Sequence, residues 1–160
     1  MNATAAPISA RENIEIAFTP MRAADIDAVL VIEQRINEFP WTRGNFVDSL
    51  VSDYSAWLLR HDEEILGYAL LLLTLDEAQL LNIGIAQERQ RAGLGSRFMD
   101  YLMDEARRHG ATRMFLEVRA SNVSGRALYR RYGFAQVGER RDYYLTRQGR
   151  EAALVLARDL

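Results

Sequence analysis

The 160-residue chain has no cysteine and no lysine, and only three prolines and two histidines. Without cysteine there is no disulfide, no thiolate metal site and no sulfur nucleophile, a composition that fits a reducing cytosol. Without lysine there is no Walker A lysine, no kinase strand lysine and no Schiff base to pyridoxal phosphate. All 20 basic residues are arginines, a usage that codon bias in the source genome would explain. His61 falls in a turn and His109 at a helix end, without ligand spacing, so no metal is expected. The apolar segment Ile65 to Leu73 is far shorter than the ~20 residues of a spanning helix, so no membrane partner is expected. Residues 1–13 lack both a basic start and an apolar core; they read as a flexible tail and not as an export signal.

The residues that are present describe a globular protein. Hydrophobic residues make up 49% of the chain and charged residues 26%, and a chain of this length removes roughly two-thirds of its unfolded surface from water on folding. Residues 14–160 read as one domain, without repeat or linker. The charge of −2 argues against bulk nucleic-acid binding, but it is unevenly spread. Residues 1–80 hold 13 acids against 5 arginines, a net of −8, whereas residues 81–160 hold 9 acids against 15 arginines, a net of +6. That split suggests a cationic partner for the first half and an anionic one for the second; solvated helix faces would give it equally well.

Periodicity lays out the elements. Ile14 to Thr19 alternates as a half-buried strand does, and Ile26, Val29, Leu30, Ile32 and Ile36 recur at helical spacing. Pro40 stops that helix, and Thr42 can cap a shorter one through Phe46 and Leu50. Strands follow at Ala56 to Arg60, Ile65 to Thr74 and Ala78 to Ile85, turned by His61 to Glu64 and by Leu75 to Glu77. After Gly95 the pattern becomes helical through Phe98, Leu102 and Ala106 and ends at Gly110. Thr112 to Val118 is a strand, Ser121 or Asn122 caps a helix to Tyr132, and strands follow from Phe134 to about Tyr144 and from Ala153 to Arg158. The order β-α-α-β-β-β-α-β-α-β-β predicts an α/β fold, a mixed central sheet flanked by helices, antiparallel early and locally parallel later.

Between a strand and a helix lies Gln90-Arg91-Ala92-Gly93-Leu94-Gly95. Its glycines let backbone approach a ligand, and successive amides at a helix start cradle an anion. Arg89, Arg91 and Arg97 add charge. Phe98 stands where a dinucleotide fingerprint needs a third glycine, and there is no Gly-Lys pair, so the loop fits neither common nucleotide motif. An ordinary tight turn is the alternative. Upstream, Gly84 interrupts the strand Leu80 to Ile85. It marks either a splayed strand with amides open to a ligand carbonyl, or a clash avoided with a helix.

Strand, Gln-x-x-Gly-x-Gly and helix together resemble the acetyl-CoA-binding motif of the GNAT acyltransferase superfamily. Leu116-Glu117-Val118-Arg119-Ala120-Ser121-Asn122, Ala127-Leu128-Tyr129, Tyr132-Gly133-Phe134 and Arg140-Arg141-Asp142-Tyr143-Tyr144 are similar to its ribosomal-protein-alanine N-acetyltransferase branch. So are Glu33-Gln34-Arg35 and Phe39-Pro40-Trp41. The resemblance covers roughly residues 15 to 158. Gln87 stands where that branch usually has proline and Ala92 where a polar or basic residue is common. Glu151-Ala152-Ala153 replaces a frequent Glu-Asp-Ala.

The resemblance implies a GNAT fold, acetyl-CoA as co-substrate, no metal, and acetylation of the α-amine of an N-terminal alanine. The acceptor would be a basic ribosomal protein of the cytoplasm. Arg91, Ala92, Gly93, Leu94, Gly95 and Ser96 would hold the pyrophosphate. Ile83, Gly84 and Ile85 would hold the pantetheine arm and polarise the thioester oxygen, with Asn122 bonding nearby. Glu117 would be the base and Tyr129 the acid that returns a proton to the thiolate. From spacing alone, Glu117 could equally be a strand-end carboxylate paired with Arg119 or Arg113, and Tyr129 a packed helix tyrosine. Phe39, Trp41, Tyr143 and Tyr144 could line the acceptor groove or pack in the core. Two other readings stand beside this one: acetylation of lysine or small-molecule amines, and a non-catalytic acyl-CoA sensor.

Overall fold

The structure, a computed structural model, describes residues 14–160; the expected tail, residues 1–13, lies outside the described residues. Its elements run β1 (Ala17–Pro20), α1 (Ile26–Ile36), α2 (Arg43–Val51), β2 (Ser55–His61), β3 (Glu64–Leu73), β4 (Glu77–Ile85), α3 (Leu94–Arg108), β5 (Arg113–Arg119), α4 (Val123–Arg131), β6 (Ala135–Thr146) and β7 (Gly149–Asp159). This is the expected order. Two single 3-10 turns, Ala23–Asp25 and Gln87–Arg89, were not anticipated. The strands pair in the order β1-β2-β3-β4-β5-β7-β6. β1 and β2 are antiparallel, β4 and β5 parallel, and β7 antiparallel to both β5 and β6.

Contacts divide the chain into two compact units: residues up to Ala69 together with Ile83–Phe98, and Leu70–Asn82 together with Met99–Leu160. In the first unit, Ile26, Val29 and Leu30 of α1, Phe46 of α2, Leu58 and Leu59 of β2, and Leu66 and Tyr68 of β3 are buried. Each such side chain contributes roughly 1.5–3 kcal/mol when withdrawn from water. The helix α2 is made of indifferent helix formers, Gly44, Asn45 and Val47 among them. Its start is fixed instead by a reciprocal cap: Thr42 Oγ1 accepts from the Asn45 amide at 3.2 Å, and Asn45 Oδ1 accepts from the Thr42 amide at 2.9 Å.

In the second unit, β5 alternates strictly. Met114, Leu116 and Val118 are buried, and Arg113, Phe115, Glu117 and Arg119 lie half-buried on the other face. The parallel register with β4 runs from Glu77↔Arg113 to Leu80↔Leu116, and both strands continue past it, β4 to Ile85 and β5 to Arg119. Glu117 to Arg119 are held by β7 opposite Val155 to Ala153. The edge strand β6 is bulged twice; four steps from Arg140 to Tyr144 face only two on β7, from Ala153 to Glu151. Asp142 takes φ +52° within that bulge, which turns the Tyr143–Tyr144 pair out of regular alternation.

Candidate active site

The residues expected at the site fall into both units. Ile83 to Ile85, residues 91–96, Phe39 and Trp41 lie in the first; Glu117, Asn122, Tyr129, Tyr143 and Tyr144 lie in the second.

In the first unit, the Gln90 side-chain Nε2 donates to the Ile85 carbonyl at 3.0 Å and closes the chain after β4. Arg91 and Gly93 then adopt left-handed φ of +63° and +77°, which Gly93 accommodates without penalty. The Arg97 amide bonds the Gly93 carbonyl at 3.1 Å and starts α3, whose first N–H groups have no partner within the helix. A Cβ at Gly93 would have nothing within 4 Å, so the turn is open on that side. An anion such as a pyrophosphate fits a left-handed turn leading into a helix start. Of the three arginines expected to add charge, Arg89 is withdrawn. It is buried in the Gln87–Arg89 turn, and its Nη2 pairs with Glu64 Oε2 at 2.6 Å, because a buried guanidinium must be neutralised. Arg97 bonds the Ile14 carbonyl at 3.2 Å, and Arg91 is exposed.

Gly84 is a point of close approach. A Cβ there would overlap the Tyr68 hydroxyl and lie 2.8 Å from Cδ1 of Ile36, on α1. The glycine therefore makes room for a β3 tyrosine as well as for a helix. The Trp41 ring packs on Phe46 at 5.2 Å, and its amide donates to Glu33 Oε1 at 3.1 Å. Phe39 is partly exposed.

In the second unit, Glu117 has a side chain only 15% exposed, and its Oε1 lies 3.0 Å from Nε of Arg140. Neither Arg113 nor Arg119 is this partner: Arg113 faces Asp159 at 3.7 Å, and Arg119 pairs with Glu151 at 3.1 Å. Glu117 and Arg140 border a pocket of about 260 Å³ whose walls include Phe115, Gln79, Glu77 and Val155. Arg140 and Arg119 also lie over the rings of Tyr143 and Tyr144, at 5.3 and 4.4 Å. The two tyrosine rings meet edge-on at 5.0 Å.

Tyr129 of α4 is buried and meets Phe134 edge-on at 5.9 Å. Burial, and then the neighbouring Tyr144, push its phenol up to about 12. Tyr144 is likewise raised to about 12, by burial and by the charges of Glu117 and Tyr143, against the pull of Arg119 and Arg140. Tyr144 thus interacts with Glu117 on one side and with Tyr129 on the other. Glu151 accepts from Ser121 Oγ at 2.9 Å, and this bond, with Arg119, holds its carboxyl below the usual range. Asn122 caps α4: its Oδ1 accepts from the Gly125 amide at 3.0 Å. Among the described residues, no group of three or more His, Asp or Glu side chains could hold a metal ion. No helix among them is long and apolar enough to cross a membrane.

The acetyltransferase (GNAT) family matches residues 26–134. The chain belongs to that family, and it is an acetyl-CoA-dependent N-acyltransferase. It is 37% identical over 140 residues to the ribosomal protein bS18-alanine N-acetyltransferase of Escherichia coli, covering 88% of this chain and 95% of that protein. The enzyme of the same name from Haemophilus influenzae is 35% identical over 141 residues, covering 88% and 96%. The crystal structure of the Escherichia coli ribosomal-protein-S18-alanine N-acetyltransferase superimposes with a TM-score of 0.85 at 35% identity, over 91% of this chain and 94% of that one.

Proposed function

We propose that this chain acetylates the α-amine of an N-terminal alanine on a small-subunit ribosomal protein in the cytoplasm, by direct attack on acetyl-CoA. The observation that carries the reading is a mostly buried carboxylate, Glu117, bordering a pocket. The acceptor identity rests on the relatives, which are named for that reaction.

Acetyl-CoA supplies the acetyl group as a thioester; the C–N bond forms as the C–S bond breaks. The loop residues Arg91 to Ser96 would hold its pyrophosphate, the backbone of Ile83 to Ile85 its pantetheine arm, and the Asn122 amide would bond nearby. Glu117 takes the proton that the amine loses, directly or through a water. An α-amine titrates near ~8, so roughly a tenth is already neutral at pH 7 and the base has a small task. A lysine acceptor, near ~10.4, asks far more of the same carboxylate. Tyr129 remains protonated at neutral pH. Its phenol, at about 12, is a weaker acid than the sequence alone implied. It therefore acts on the departing sulfur chiefly as a hydrogen-bond donor, and full proton transfer to a thiolate near ~8.5 is uphill. Phe39, Trp41, Tyr143 and Tyr144 would contact the acceptor segment, and the acidic first half of the chain would attract a basic one.

The test is mass spectrometry of peptides incubated with acetyl-CoA and the protein. The peptides are a free N-terminal Ala peptide with an internal lysine, its N-blocked twin, and variants in the first residue. Mass gain on the free α-amine alone, strongest with alanine, is the expected result. Gain on the blocked twin moves the acceptor to lysine. No gain with acetyl-CoA binding intact leaves a small-molecule acceptor or a sensor.

A further inference from the structure

The mechanism makes no use of a second buried carboxylate. Glu33, on α1, is 1% exposed. Its Oε1 accepts the Trp41 amide at 3.1 Å, and its Oε2 accepts the Tyr68 hydroxyl. Trp41 packs on Phe46 at 5.2 Å, and Phe46 meets Tyr68 edge-on at 6.0 Å. The four residues close a ring: carboxylate, loop amide and tryptophan, phenylalanine, tyrosine, carboxylate. The hydroxyl end of Tyr68 occupies the space that a Cβ on Gly84 would need. One buried group therefore ties the loop 37–42, which carries Phe39, to the strand segment Ile83 to Ile85.

We propose that Glu33 is a positioning residue that fixes the acceptor loop 37–42 in register with the Ile83–Ile85 backbone. This rests on the function proposed above. The chemistry favours a carboxylate at this point. Both partners are donors, an N–H and an O–H, and an ionised carboxylate is an acceptor at both oxygens. A glutamine of the same shape would satisfy the Trp41 amide but turn an NH2 toward the Tyr68 hydroxyl. That hydroxyl must then rotate to accept, which loosens the wedge against Gly84. Burial and the charge of Glu33 drive the Tyr68 phenol far above its usual value, so it stays a donor across the working range. An apolar residue of this volume would fill the core as well; two directed bonds specify where the loop sits.

The test compares Glu33→Gln and Tyr68→Phe with the unaltered protein at a temperature where all three are folded. Acceptor KM and kcat are measured on whichever amine of the peptide panel the unaltered protein acetylates, acetyl-CoA binding by calorimetry, and protection of the Trp41 amide by hydrogen exchange. The expected result is a kcat/KM for acceptor lower by about tenfold in Glu33→Gln, since misplacements near 1 Å cost up to a hundredfold. Acetyl-CoA affinity stays within about twofold, and Trp41 protection falls. Glu33→Asp, a carboxylate on a shorter arm, recovers part of the Trp41 protection. A lower melting temperature with unchanged acceptor kinetics and unchanged Trp41 protection overturns the proposal and leaves Glu33 a core residue. If the unaltered protein acetylates no amine, the function proposed above falls. The Glu33 proposal is then decided by Trp41 exchange alone: loss supports it, and full protection overturns it.

Discussion

Arg140 Nε lies 3.0 Å from Glu117 Oε1, and the pair joins an arginine 58% exposed to a carboxylate 15% exposed. The carboxylate is thus the held partner and the arginine the outer one. Both strands that carry them pair with Val155 of β7, through Glu117 on β5 and Gly138 on β6. Arg140 is two residues beyond Gly138 and so shares its face. Arg140→Ala removes the bond that orients Glu117 and leaves the backbone pairing intact. A partly exposed pair of this kind is worth about 1 kcal/mol, so kcat is expected to fall about fivefold. Acetyl-CoA binding is expected to be unchanged, and Arg140→Lys to fall between, because an ammonium keeps the charge but not the Nε geometry. Steady-state kinetics with calorimetric binding checks this; an unchanged kcat in Arg140→Ala removes the orienting role.

Tyr129→Phe deletes one hydroxyl from a buried ring and keeps the edge contact with Phe134. Turnover is expected to drop about tenfold or more, the size of one lost hydrogen bond to the charged leaving sulfur, while acetyl-CoA still binds. In the unaltered protein no alkaline limb from this phenol should appear below about pH 11, because its value sits at about 12. Turnover unaffected by the substitution would falsify the assignment.

The same phenol makes stability depend on pH at the alkaline end. In the unfolded chain tyrosine titrates near ~10, and Tyr129 in the folded chain near 12. Its contribution is complete below pH ~10. Above that the unfolded chain releases the proton first, so stability falls as pH rises and the contribution is gone beyond the folded value. Two pK steps on a buried group correspond to roughly 3 kcal/mol. Scanning calorimetry from pH 9 to 11 should show a steeper fall in Tm for the unaltered protein than for Tyr129→Phe. Parallel curves would mean that Tyr129 is not the group responsible.

Much of this was legible from local rules. Thr42 and Asn122 cap the helices that their sequence positions suggested, and the loop at residues 90–95 turns into a helix as its glycines implied. Short-range spacing could not supply the partners. Spacing alone offers Glu117 only Arg113 or Arg119 on its own strand as ionic partners, but its pairing depends on a β6 bulge and on β7 returning beside β5, which no local pattern encodes. Arg89 reads from the sequence as a charge added around the loop; only the fold reveals Glu64 as its partner. Gly84 was flagged as a close approach, but one neighbour that needs the space, Tyr68, is sixteen residues back on β3.

Two glycines should separate packing from conformation. Gly84→Ala puts a methyl into the Tyr68 hydroxyl and close to Ile36. That hydroxyl is held by Glu33 and cannot simply swing aside. Overpacking of this sort costs about 1–3 kcal/mol, so Tm is expected to fall by several degrees even without ligand. Gly93→Ala meets nothing within 4 Å, and its only penalty is the left-handed φ of +77°, about 1 kcal/mol. Its larger effect should lie in the loop proposed to hold the pyrophosphate. A ligand that binds only the folded state raises Tm in proportion to its affinity, so the acetyl-CoA-induced rise in Tm should shrink in Gly93→Ala. In Gly84→Ala the lower starting Tm is the dominant change. If Gly93→Ala keeps the full rise, its left-handed turn does not hold the ligand, and the pyrophosphate must be sought elsewhere on the chain.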